Sequence, residues 1–406
     1  MPLKIFSKIS DAVKGAEAAA SNVAEKVSHV FNAGKAGVVE NVNDFTHEGE
    51  VEVTIYTSYG YRQDGVWRIP LRGRVSQKRR LPDELIADAV SKIIHCGDAD
   101  HGTLISRSRQ FTDDSRSGQN VTIAFGADSQ FSFPTSDLNG LIEREIELTD
   151  EEADKLLAAE GSPPWLTFNV VSEGHSGTGR VRLIEPEGLS VVSDIDDTIK
   201  VTLVPGDKDE VLRRTLCKDF EAAPGMAERY QNQWGGAAFH YVTGGPWQLF
   251  TPLDDFLIKG AGGFPDGSFH MTYHPKNFLA EDTREILIET ILGSMGQTYT
   301  HKVNEISLLM RRFPGRKFVL VGDSGEVDPE VYRKIRDDFG AQVEEIVIRD
   351  VLDEANVNKH RLPDYMTLID VEPPVCATEK HHHKLALRFQ ELYDKPYTRN
   401  TRPPCG

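Results

Sequence analysis

Residues Ser193-Asp194-Ile195-Asp196-Asp197-Thr198-Ile199-Lys200 constrain the 406-residue chain more than any other stretch. They follow Leu189, Val191 and Val192, an apolar, largely β-branched run that reads as a buried strand. The polarity then reverses to three acids within four residues. Carboxylates where a buried strand ends are costly unless a cation or hydrogen bonds compensate them. Ligands of open α/β sheets bind at the carboxyl ends of the strands. The stretch therefore predicts both a parallel sheet and a chemical site at its edge.

Further strands of the same kind follow. Ala238–Val242 runs into Thr243-Gly244-Gly245, Lys317–Val321 runs into Gly322-Asp323, and Glu345–Ile348 is a fourth. Helices are expected over Lys302–Phe313 and Pro329–Phe339. Strands alternating with helices predict an α/β domain with a Rossmann-like parallel sheet over residues 186–355. Residues 50–185 alternate at period two in several short runs, among them Val51–Tyr56, Val66–Leu71, Val121–Phe125, Trp165–Val171 and Gly179–Ile184. They predict a β-rich, sandwich-like domain interrupted by a helical patch at Asp83–Ile94. Residues 1–45 hold an amphipathic helix at 3–31 and a linker, and residues 356–406 a C-terminal extension with a helix around Lys384–Tyr393.

The helix at 3–31 has an a/d-type seam (Phe6, Ile9, Val13, Ala16, Ala20, Val23, Val27, Val30) behind Lys4, Lys8 and Lys14. Two readings stand: a helix on an anionic membrane surface, or one docked on the protein or paired in an oligomer. The basic stretches Arg72–Arg80 and Arg107–Arg116 read as a solvated face or as lipid headgroup contacts. With 46 Lys and Arg against 63 Asp and Glu, the net charge is −17, which counsels against nonspecific nucleic-acid binding. Cys96, Cys217, Cys376 and Cys405 form no CxxC pair, which predicts a reducing compartment without disulfide or structural zinc. No run approaches the roughly 18 apolar residues that span a bilayer, so the expectation is a soluble, cytoplasmic protein with peripheral membrane contact at most. The run His381–His383 is too cramped to converge on one ion.

Asp194 and Asp196 share one side of an extended chain, and Asp323 ends a neighbouring strand. Three converging aspartates with room for water and a phosphate suit Mg²⁺. A carboxylate can attack phosphorus and form an aspartyl-phosphate, and a second acid two residues on can protonate the leaving group. Thr243, with Gly244, can hydrogen-bond phosphoryl oxygens, and Lys302 can supply positive charge. Asp328 either joins the metal site or serves the N-terminus of the following helix. Asp197 points away and is expected to be structural.

These residues resemble the four motifs of haloacid dehalogenase-type phosphohydrolases: Asp194-Ile195-Asp196-Asp197-Thr198, then Thr243, then Lys302, then Gly322-Asp323 with Asp328. More narrowly, Ser193–Lys200, Thr243–Trp247, His301-Lys302 with Phe313-Pro314, and Lys317–Glu330 are similar to the fungal actin-patch phosphatidate phosphatases over residues 186–355. The resemblance implies that Asp194 is nucleophile and metal ligand. It makes Asp196 the acid/base, with its backbone carbonyl on the metal. Thr243, Gly244 and Lys302 hold phosphate, and Asp323 and Asp328 complete the metal set. Residue 245 is Gly where many relatives carry Ser, which removes one phosphate contact. The implied activity is Mg²⁺-dependent hydrolysis of phosphatidate to diacylglycerol at a membrane surface, with actin-patch or endocytic proteins as partners and cortical actin patches as location. The residues alone equally fit a soluble phosphomonoester or phosphoprotein substrate, or a non-enzymatic adaptor. The segment Leu249–Thr300 reads either as a cap over the site or as packing on the sheet.

Overall fold

The computed structural model describes residues 47–79, 101–259, 263–273, 295–357 and 360–370, together with 91, 96 and 291. Apart from Ser91, the helices expected at 3–31, Asp83–Ile94 and Lys384–Tyr393 lie outside these residues, as does His381–His383.

A six-stranded sheet carries the chemistry. Its strands, in spatial order, are Gly267–Thr272, Ala238–Pro246, Gly188–Ser193, Arg316–Asp323, Val343–Asp350 and Met366–Asp370. Every neighbouring pair is parallel. Numbered along the chain, the order is 3-2-1-4-5-6, that of a doubly wound sheet. The order reverses between Gly188–Ser193 and Arg316–Asp323, and the crevice outside that junction is where such sheets bind ligands.

Both faces of the sheet are covered, so its central strands are largely apolar. Val191, Phe239, Tyr241, Val319 and Val321 face one core with Leu212, Leu216, Met226 and Tyr230 from the helices Lys208–Leu216 and Met226–Trp234. Val192, Val242, Phe318, Leu320 and Ile346 face the other. There they meet Ile306, Leu309 and Met310 of the helix Met295–Arg312 and Val331 and Ile335 of the helix Asp328–Phe339.

The N-terminal strands join into one ten-stranded, mostly antiparallel network, in which Ile69 and Ile146 from one half meet Ile123, Phe125, Phe168 and Val181 from the other in a single core. The 14-residue strand Val66–Arg79 pairs with four others, and Ser58–Gln63 joins the two halves by pairing on both edges. Tyr56 from this sheet stacks on Trp247 at 3.8 Å. Arg180 bridges to Asp254 and Asp266, each at 2.8 Å, so the two sheets are docked through aromatic and ionic contacts.

Several expectations are corrected. The parallel sheet extends past residue 355, because Met366–Asp370 pairs with Val343–Asp350. Phe250, Leu253, Phe256, Leu257 and Phe264 are buried in the core, so this part of Leu249–Thr300 packs on the sheet. Arg107 and Arg109 are buried, not on a solvated face. Arg107 donates to the carbonyls of Thr215 at 2.8 Å and Lys218 at 2.5 Å. Cys96 and Cys217, 121 residues apart, are joined as a disulfide, with 6.3 Å between Cα atoms. Tertiary folding brings together thiols that linear spacing shows as unrelated. No helix among the described residues is long and apolar enough to cross a membrane.

Candidate active site

The strand Gly188–Ser193 ends one residue before Asp194, and the chain then turns. Ile199 and Lys200 donate their N–H groups to the Ile195 carbonyl, and Asp197 adopts a left-handed φ of 56°. Asp194 and Asp196 therefore reach the site from a tight loop and not from an extended strand. The Asp197 carboxylate accepts the N–H groups of Thr202, Leu203 and Val204 at 2.6–2.8 Å and ties the loop back on itself.

Asp194 is wholly buried. Its Oδ1 accepts from Lys302 Nζ at 2.7 Å, and its Oδ2 accepts from Thr198 Oγ1 at 3.0 Å. The same hydroxyl lies 3.5 Å from Asp323 Oδ2, so Thr198 bridges the two strand ends at the switch point. Asp323 Oδ1 accepts the N–H groups of Gly325 at 2.6 Å and Glu326 at 3.2 Å. Asp194, Asp323 and Glu326 each place a carboxylate oxygen within 4.8 Å of the others.

Lys302, from the helix Met295–Arg312, is 1% exposed and contacts three carboxylates: Asp194, Asp328 at 2.5 Å and Glu326 at 3.4 Å. Asp328 Oδ2 also accepts the Asp323 N–H at 3.3 Å. This approach requires Gly322, where an added Cβ would stand 2.6 Å from Asp328 Cβ.

Asp196 faces elsewhere. Its Oδ1 is 2.6 Å from both Lys200 Nζ and Thr202 Oγ1, and its Oδ2 accepts from Thr243 Oγ1 at 3.5 Å. Thr243 lies on the adjacent strand Ala238–Pro246 and accepts the Gly245 N–H at 3.0 Å. Gly244 lets the helix Met295–Arg312 come close, since a Cβ there would lie 2.9 Å from Thr298 Oγ1.

The electrostatics divide the carboxylates into two sets. Burial pushes Asp194 and Asp323 well above the usual carboxylate range; Lys302 opposes the shift at Asp194, while Asp328 and Asp194 add to it at Asp323. Burial raises Asp328 too, and pushes Glu326 up to about 7, against the pull of Lys302 in both cases. For Asp196 burial acts upward as well, but Lys200 and Thr202 outweigh it and hold the carboxyl below its ordinary value. At Lys302 burial acts downward, and Asp194 and Asp328 outweigh it. Three carboxylates thus share one buried ammonium, with Asp323 beside them, and burial disfavours the ionised form of all four. Hard oxygen donors clustered in this number fit a divalent cation, which would favour their ionised forms.

The structure brings together Asp194, Asp323 and Lys302 at one point and Asp196, Thr243 and Gly244 beside it. The carboxylate of Asp328, expected in the metal set, has Lys302 and the Asp323 N–H as partners and lies outside the trio of nearby oxygens. Glu326 belongs to that trio and was not singled out from the sequence; its only signal is its place three residues after Asp323. Arg361 was missed as well. It is 1% exposed, pairs with Glu330 at 2.8 Å and Glu354 at 3.0 Å, and donates to the carbonyls of Ser324 at 2.8 Å and Glu326 at 2.7 Å. It clamps the loop that carries Asp323 and Glu326.

Residues 189–350 match the family model for the catalytic domain of phosphatidate phosphatase APP1. Phosphatidate phosphatase APP1 of Saccharomyces cerevisiae is 32% identical over 213 residues, which cover 50% of this chain and 34% of that protein. An uncharacterized protein of Schizosaccharomyces pombe is 27% identical over 177 residues, 43% of this chain and 27% of its own length. The chain thus spans about a third of the length of these curated relatives. A solved carbohydrate esterase structure aligns over 86% of this chain and 99% of its own at a TM-score of 0.22 and 10% identity, too low to bear on the fold. The matched segment coincides with the switch-point site, so the part of this chain that carries the buried carboxylates is the part similar to the catalytic domain of phosphatidate phosphatase APP1.

Proposed function

We propose that the protein is a Mg²⁺-dependent phosphatidate phosphatase of haloacid dehalogenase type, releasing diacylglycerol and phosphate through an aspartyl-phosphate. The observation that carries this reading is the convergence of Asp194, Asp323 and Lys302 at the switch point of the parallel sheet. The family match of residues 189–350 supports phosphatidate as substrate.

Asp194, Asp323 and Glu326 would hold the cation, which supplies positive charge against the carboxylates and the phosphoryl oxygens. A carboxylate oxygen of Asp194 attacks phosphorus, and the bond from phosphorus to the glycerol oxygen breaks. Asp196 gives its proton to the departing glycerol oxygen. Water then attacks the phosphorus of the aspartyl-phosphate, Asp196 takes the proton, and phosphate leaves. In the free site Lys200 and Thr202 keep Asp196 ionised. A phosphate dianion beside it opposes that ionisation and favours the protonated acid that the first step needs. Lys302 orients Asp194, and Thr243 and the Gly244-Gly245 backbone receive phosphoryl oxygens.

A lipid substrate implies peripheral contact with a membrane surface. Recruitment to actin patches by endocytic proteins rests on the family resemblance. The test is phosphate release from phosphatidate in mixed micelles, with Mg²⁺ and with EDTA, for wild type and Asp194→Asn. Mg²⁺-dependent release by the wild type alone is expected. Release from soluble phosphomonoesters with none from phosphatidate would replace the lipid substrate by a soluble one.

A further inference from the structure

Thr243, Gly244 and Gly245 border the small pocket beside Asp196. Two adjacent glycines have little conformational preference of their own, so contacts outside the segment must hold it in place. Within the catalytic sheet they are supplied by Thr272, whose Oγ1 donates to the Gly244 carbonyl at 2.9 Å and the Gly245 carbonyl at 3.1 Å. Past Gly245 comes Pro246, with φ −80° and its rotation locked by the ring. The position of Trp247 is therefore passed back to Gly245 through a stiff link.

Trp247 is held from the N-terminal strands. Tyr56, the residue after the strand His47–Ile55, lies parallel to the Trp247 ring within 15° at 3.8 Å, and Phe250 meets the Tyr56 ring edge-on at 5.1 Å. Both stacked residues are buried. Tyr56 is itself anchored: its N–H donates to the Arg72 carbonyl at 3.0 Å, and the carbonyl of the next residue, Thr57, accepts the Phe269 N–H at 3.1 Å. Tyr56, Trp247, Phe269 and Met271 also line a cleft of about 430 Å³. That space lets the indole turn once its stacking partner is removed. Tyr56 lies outside residues 189–350, the segment similar to the catalytic domain of phosphatidate phosphatase APP1.

Resting on the phosphatase reading, we propose that Tyr56 is a positioning residue for phosphate: its stack on Trp247 sets the place of Thr243, Gly244 and Gly245. The N-terminal strands are then part of the phosphate site and not an appendage to it.

The experiment measures the Kd of orthophosphate by calorimetry in the presence of Mg²⁺, beside KM and kcat on dioctanoyl phosphatidate, for wild type, Tyr56→Leu, Tyr56→Phe and Trp247→Leu. Tyr56→Leu and Trp247→Leu are expected to raise Kd and KM by about five- to tenfold, the scale of one aromatic pair. Tyr56→Phe, which keeps the ring, stays within about twofold of wild type. If the stack serves stability alone, the variants hold fewer folded molecules: kcat falls while Kd and KM are unchanged, and the assignment is overturned. A wild type that binds orthophosphate but leaves phosphatidate intact overturns the substrate reading, and the Kd ratios then decide the role of Tyr56. A wild type that binds no orthophosphate overturns both.

Discussion

Lys302 Nζ lies 2.7 Å from Asp194 Oδ1, in a place where neither side chain is more than 1% exposed. One is delivered by a helix and the other by the loop after the central strand, 108 residues apart. The same ammonium holds Asp328 and Glu326, so it is the hub of the buried charge. Replacing Lys302 with Met leaves the carboxylates of Asp194, Asp328 and Glu326 without their cation. A loss of about 3–5 kcal/mol is expected, as for a broken buried ion pair, together with loss of phosphatase activity. Urea unfolding with an unchanged m-value would measure it. A variant as stable as wild type would show that the carboxylates do not depend on Lys302.

Arg361 joins two buried carboxylates, Glu330 and Glu354, and two backbone carbonyls of the loop after Asp323. Arg361→Met is expected to cost about 3–5 kcal/mol for the same reason. Its mark in kinetics is a raised Mg²⁺ requirement, because Glu326 loses its support while Asp194 and Lys302 keep theirs. Titrating activity against Mg²⁺ checks this, and an unchanged half-saturation would argue against a role for the clamp.

Gly322→Ala puts a methyl group 2.6 Å from Asp328 Cβ, within the buried site. Overpacking of this kind costs about 1–3 kcal/mol. It also drives Asp328 away from Lys302, so activity is expected to fall more steeply than stability. Thermal unfolding and kcat measured on the same preparation separate the two effects.

His240 is fully buried on the strand Ala238–Pro246, with Nδ1 2.8 Å from Ser268 Oγ. Burial holds its imidazole well below the ordinary value of 6.5, and His270, Arg316 and Arg182 add to this. A base depressed in the folded state contributes stability that is fully present above pH 6.5 and lost as pH falls below it, when the unfolded chain takes up the proton. The slope is at most about 1.4 kcal/mol per pH unit for one proton. Unfolding free energy followed from pH 7.5 to 5.5 should decline on the acid side, and His240→Phe should flatten that decline. An identical slope in the variant would assign the acid lability to other groups.

Asp194, Asp196, Thr243, Lys302 and Asp323 were legible because each is a polar residue at the end of an apolar strand or on a flanking helix. Such abrupt reversals need a reason, and a ligand site is the common one. Other parts were hidden by the absence of any local contrast. The strand Gly267–Thr272 mixes Ser268 and His270 with Phe269 and Met271, yet all four are buried, because the polar pair bond each other. Met366–Asp370 is a sheet-edge strand whose Thr367 is exposed, and it reads as tail.

The sequence by itself determined the parallel α/β segment, the period-two strands before it and the acids at the strand ends, since periodicity and polarity are local properties. Only the tertiary structure decided which strands pair, in the parallel sheet and in the ten-stranded N-terminal network alike. It also turned Asp328 toward Lys302, added Glu326 beside Asp194 and Asp323, set Arg361 under the loop and joined Cys96 to Cys217. Each of these depends on distance in space between residues far apart in the chain or on the course of a loop, and neither is encoded in local spacing. At Asp194–Lys200 the sequence announced buried charge; the fold supplied the compensation through Lys302, Thr198 and a turn at Asp197 that no strand pattern foretells.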